Sequence, residues 1–144
     1  MDTIRAVNNY IFSYLKADTT LTTLLGNNNI REGLANRSDT YPYIVFAVNP
    51  SVNFDTPIVV DCDLQIDIWD KPNNNLTIRI FEIRSRLIKL LDQHTFTLDG
   101  GEAKGLRIYL NSMGIILRDP DVEFVQHLIM LLTLRYLRSE DLVF

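Results

Sequence analysis

The residues whose types and spacing best suit chemistry are Asp61, Asp63 and Asp67, three carboxylates on one side of a single stretch, with Lys71 just beyond them. A hard divalent cation takes several oxygen ligands, and carboxylates with a nearby lysine are the set that holds Mg²⁺ in nucleases. Same-side neighbours on a strand stand about 6.6 to 7 Å apart, so two of the three could share an ion. A metal site also needs a third ligand and a grip on the substrate, and the sequence offers neither. A solvated sheet face explains the same three aspartates at no energetic cost.

The other reactive groups are scattered. His94 and His127 lack the HxxxH or HxxE spacing that aims two ligands at one ion, and both read as surface or interface histidines. Cys62 falls on the apolar side of the aspartate stretch, where a thiol acts as a small hydrophobe. No GxSxG, GxxxxGK[ST] or GxGxxG is present. Gly100, Gly101 and Gly105 form a weak cluster suited to easing a hairpin. No catalytic, cofactor or metal residue is assigned, and the expectation is a protein that is not an enzyme.

The elements that carry these residues follow from periodicity. Ile4, Val7, Ile11 and Leu15 share one helical face, with Asp2 or Thr3 as N-cap. Residues 18–26 form a further short helix, capped by threonine and closed by Gly26, and Asn27 to Asn29 favour a turn. Ile30 to Tyr41 reads as a loop, and Tyr43 to Val48, between Pro42 and Pro50, as a strand. Then Val60, Cys62, Leu64, Ile66 and Ile68 alternate with Asp61, Asp63, Gln65, Asp67 and Trp69, giving a strand with one dry face and one wet, acidic face. After a turn at residues 70–75, Leu76, Ile80, Ile83 and Leu87 recur at helical spacing, with Arg79, Glu82, Arg84, Arg86 and Lys89 on other faces. Leu106 to Leu110 and Ile115 to Arg118 alternate again. Asp119-Pro120-Asp121 turns the chain into Val122 to Arg138, whose leucines fit a helix and whose alternation fits a long strand; the hairpin turn favours strand. The main order is α, β, β, α, β, β. The expected fold is α+β, one domain over residues 1–144, with a mixed or mostly antiparallel sheet of four or more strands packed on two main helices.

Composition narrows the function further. The chain has 144 residues, 47% hydrophobic, with 14 basic and 18 acidic residues and a net charge of -4. A mildly acidic balance argues against nucleic-acid binding by bulk charge, which needs clustered Lys and Arg. One cysteine makes no internal bridge, so a reducing compartment is expected. No apolar run reaches the roughly 18 residues that span a bilayer, and the start of the chain lacks a signal-peptide pattern, so a soluble, unprocessed product with no membrane partner is expected. Arg79, Arg86 and Lys89 form a basic helix face opposite in sign to the acidic strand, and such faces on neighbouring copies could meet in a heterologous contact that closes a ring.

Leu21-Thr22-Thr23-Leu24-Leu25-Gly26, then Asn29-Ile30-Arg31, Tyr41-Pro42-Tyr43-Ile44-Val45-Phe46, and a strand ending Ile68-Trp69-Asp70 ahead of a helix of about 17 residues, together resemble the tail completion or tail terminator family of long-tailed bacteriophages. The resemblance runs from about Ile4 to Leu98. It implies a structural subunit, assembled in the host cytoplasm and located at the head–tail interface of the virion, that forms a homo-oligomeric ring, a hexamer. The ring would cap the head-proximal end of the tail tube, stop its elongation and join the neck or stopper protein, with DNA passing through the lumen without specific binding. Under that reading Asp61, Asp63 and Asp67 are candidates to face the lumen and repel phosphate. The loop with Arg31, Arg37, Asp39 and Tyr41 is a candidate partner-docking element, as is the connection from Pro50 to Pro57. A neck or stopper ring protein is the nearest alternative, and a small Mg²⁺-dependent nuclease the more distant one.

Overall fold

Helix α1, Thr3–Ala17, buries Val7, Ile11 and Leu15 completely, the four-residue spacing that puts one side chain per turn against a sheet. The first-turn candidate Asp2 lies outside the described residues, and Thr3 is already helical. The computed structural model describes residues 3–33, 40–50, 59–71, 78–98, 103–118 and 125–138. Helix α2, Thr19–Leu25, is capped by Asp18 rather than by threonine: the carboxylate accepts from Leu21 N at 2.8 Å. Gly26, at φ +68, ends it by donating to the Thr22 and Thr23 carbonyls.

The stretch expected to be a loop contains a strand, β1, Ile30–Glu32, which pairs parallel with β2, Tyr43–Pro50. Three residues carry no usable alternation, and the pairing is specified by the partner strand. Asn27 serves as a clamp as well as a turn residue: its Nδ2 donates to the Pro42 carbonyl at 3.0 Å, and its Oδ1 accepts from Asn29 N at 2.8 Å. The Tyr41-Pro42 peptide bond it steadies is cis.

Strand β3, Val59–Asp70, follows the expected alternation, with Cys62, Leu64, Ile66 and Ile68 buried. Helix α3, Ile78–Leu91, buries Ile80, Ile83, Leu87 and Leu91. Two-residue β4, Thr95–Phe96, was not foreseen; it pairs with β5, Ala103–Ser112. Strands β6, Ile116–Arg118, and β7, Gln126–Arg138, complete the sheet. The ambiguous last run is thus a strand over its described part, and its even-numbered residues from Leu128 to Tyr136 face the core. The turns expected at residues 72–75, 99–101 and 119–121, the connection at 51–57, and Val122 and Phe124 lie outside the described residues.

The sheet order is β1-β2-β3-β7-β5-β4, antiparallel throughout except for β1 with β2. Both β5 and β6 pair along β7, so they form one long edge-side strand interrupted at Met113-Gly114-Ile115. Helix α1 lies over β1 and β2, and α3 over β3 and β5, all against the same face. The α+β class is therefore the observed one. Burial of each large aliphatic side chain between the layers contributes about 1.5 to 3 kcal/mol.

Candidate functional site: the outer sheet face and the helical groove

The face of the sheet turned away from the helices carries the acidic strand, but its charge is less free than the sequence suggests. Asp61 stands opposite Arg135 in the β3–β7 register, and Arg135 Nε and Nη2 reach its two oxygens at 2.8 and 3.1 Å. Asp67 accepts from Gln65 Nε2 at 3.0 Å and has His127 Nε2 at 3.6 Å. Asp63 is exposed. The three carboxylates share a face, as expected, yet two of them are engaged within the chain. Among the described residues no group of three or more His, Cys, Asp or Glu could hold a metal ion.

Beside the aspartates runs an aromatic ladder. Tyr43, Trp69 and His127 are consecutive cross-strand partners on β2, β3 and β7, with Leu117 of β6 next in line. Trp69 and His127 stack at 3.7 Å between ring centroids, and Tyr41 and Tyr43 approach to 5.3 Å. His127 is therefore a packed ring against tryptophan, and His94 is packed too. A 2.8 Å hydrogen bond joins His94 Nε2 to the Tyr10 hydroxyl, and the His94 ring stacks on Tyr14 at 4.3 Å. Burial lowers the His94 pKa and raises those of Tyr10 and Tyr14. Both histidines thus join elements of this chain. Cys62 is buried, and desolvation, aided by Asp61 and Asp63, pushes its thiol up to about 11, which keeps it protonated.

The basic helix face divides in the same way. Arg79 makes a bidentate pair with the fully buried Asp70, at 2.5 and 3.0 Å. Arg86 makes another with Asp18, at 2.6 and 2.9 Å, and those bonds hold the Asp18 carboxyl below the ordinary carboxylate range. Both arginines fasten α3 to its own chain. Lys89 is exposed, and Arg84 stands 4.8 Å over the Phe81 ring. Lys89 lines a groove of about 540 Å³ between α2 and α3 with Thr20, Leu24, Phe81 and Ser85. Of the candidate docking loop, Arg31 lies on β1 opposite Val45 and Tyr41 is exposed, while Arg37 and Asp39 lie outside the described residues.

Sequence reasoning missed the apolar part of the outer face. Met113, Ile115, Leu117, Leu131 and Leu137 are all exposed. The signal was the unbroken Met130-Leu131-Leu132, in which an alternating strand has an apolar residue on its wet side.

No family model matches the chain, and no curated protein matches it in sequence. Among solved structures, the fold is similar to that of a chain in "Virion of native gene transfer agent (GTA) particle". The TM-score is 0.73 with 13% identity, covering 95% of this chain and 99% of that one. At that identity the likeness is one of fold, and it runs over nearly the whole of both chains. The fold and face define a small two-layer α+β domain with two unlike exposed surfaces. Among the described residues no helix is long and apolar enough to cross a membrane.

Proposed function

We propose that this chain is a structural subunit of a phage-like particle, the tail terminator, which closes into a ring on the head-proximal end of the tail tube and does no chemistry. The observation that carries the reading is the end-to-end fold likeness to a chain of a gene transfer agent virion. It agrees with the resemblance of residues 4–98 to tail terminators. The tail tube protein on one side and a neck or stopper protein on the other are the proposed partners, with DNA passing through the lumen unbound. The exposed Tyr41 beside the loop, with Arg31, Arg37 and Asp39, is the proposed docking element.

The nuclease reading loses support because the carboxylates it needs are already bonded, Asp61 to Arg135 and Asp67 to Gln65. The same bonds bear on the lumen reading of Asp61, Asp63 and Asp67. A surface that repels DNA needs uncompensated like charge, and this face sets one exposed aspartate among exposed leucine, isoleucine and methionine side chains. Such a mixture suits protein contact better than a DNA channel. Negative-stain images and native mass of the purified chain, alone and with tail tubes, test the proposal. Rings seated on one tube end are expected, and tubes that stay bare and keep growing in its presence would refute it.

A further inference from the structure

Two exposed apolar features sit on opposite layers of the molecule. On the sheet side, Met113 and Ile115, 50% and 71% exposed, stand out at the break between β5 and β6. Gly114 fixes that break. Its φ is +84, and a Cβ there would lie 2.0 Å from the Ile129 carbonyl oxygen, so the backbone is pressed against β7 and presents its two flanking side chains from a built position. Leu131 continues the apolar surface across β7, and its partner on β3 is Gln65, which places Asp63 and Asp67 diagonally to either side. The result is an apolar knob on β5 and β6 with carboxylates two strands away, on β3.

The helix side carries the complement. The groove between α2 and α3 is lined by Leu24 and Phe81, with Lys89 and Glu82 on its rim, and Arg84 lies outside the lining, over the Phe81 ring. Its remaining cation, Arg86, is already satisfied by Asp18. Assembly by strand addition is blocked where β5 would offer an edge. There Gln93 N donates to Ile108 O, Ile108 N donates to His94 O, and Leu110 N donates to Asp92 Oδ1. Among the described residues the edge strands β1, β6 and β4 have three, three and two residues, too few to template a neighbour.

We propose that the Met113–Ile115 knob of one copy seats in the α2–α3 groove of a second copy, with the exposed Asp63 turned toward the neighbour's Lys89. Apolar surface meets apolar surface, acid meets base, and the two patches differ, so the contact is head-to-tail and propagates until it closes into a ring. This rests on the ring reading above, and it assigns the surfaces by which the ring closes.

Cross-linking tests it, since Ile115 and Ser85 are both exposed and Cys62 is buried. Chains carrying both Ile115→Cys and Ser85→Cys, assembled alone or on tail tubes, are treated with a short bismaleimide. A ladder of linked copies reaching the full ring is expected, with each single variant giving at least tenfold less linked dimer. Equimolar mixing of the two single variants should restore linked dimer between unlike chains. Rings without the ladder would overturn the surface assignment and leave the ring reading standing. No assembly by wild-type chain in either setting would overturn both. Linkage of either cysteine to tube or neck protein would overturn the choice of a second copy as occupant.

Discussion

Removing Arg79 should expose how much the helix layer depends on a buried charge. Asp70, at the end of β3, is 0% exposed, and its two oxygens are held by Arg79 Nε and Nη2 across the layer boundary. Removing one partner of a buried pair costs about 3 to 5 kcal/mol, because the other charge is left without compensation. The Arg79 side chain is itself 41% exposed, so water can enter the vacated site, and Arg79→Ala belongs at the lower end, about 3 kcal/mol. For a domain of this size that is a fall of about 10 °C in Tm. Asp70→Ala should cost less, about 1 kcal/mol, because the freed guanidinium can turn into solvent. The double variant should then be close to Asp70→Ala alone, a coupling of about 3 kcal/mol by double-mutant cycle. Urea melts of the four proteins measure it. Equal losses for the two single variants with additive behaviour in the double would refute the reasoning, since the carboxylate would then not depend on its partner.

Asp18→Ala should cost more than the roughly 1 kcal/mol of the α2 cap, because the pair with Arg86 goes with it, and Asp18→Asn less, because an amide oxygen can still accept from Leu21 N; thermal melts of the two variants check the order. Gly114→Ala should destabilise by about 3 kcal/mol, combining positive φ with a Cβ driven into the Ile129 carbonyl, as read by urea unfolding. The His94 pKa is lowered in the folded state, so below about pH 6.5 the unfolded chain binds the extra proton first and stability falls with acidification until the folded pKa is passed. His94→Phe should flatten that slope in melts between about pH 5 and 7, and an unchanged slope would contradict it. Cys62, buried and with its thiol pushed up to about 11, should react with a thiol reagent no faster than the protein unfolds.

What sequence could and could not reveal divides along contact range. Strand β3 and helix α3 were legible because each carries a full period over many residues, from Val60 to Ile68 and from Ile80 to Leu91. Strands β1 and β4 were not, because two or three residues hold no period and owe their pairing to Ile44–Phe46 and Leu106–Arg107. The candidate site failed in a related way. Asp61, Arg79 and Arg86 were read from their own segments as a charged strand and a charged helix. Their partners Arg135, Asp70 and Asp18 are 74, 9 and 68 residues away, and only the folded chain brings them together. The exposed knob at Met113 and Ile115 depends on a β-bulge whose position is set by the pairing of β5 and β6 with one strand.

Electron microscopy of particles produced without this chain tests the central claim most directly. A tail terminator should leave tails of uncontrolled length separate from filled heads, and wild-type chain supplied in trans should restore normal tail length. Tails of normal span joined to heads in its absence would contradict the account, and normal tails beside heads that leak their DNA would move the chain to the neck.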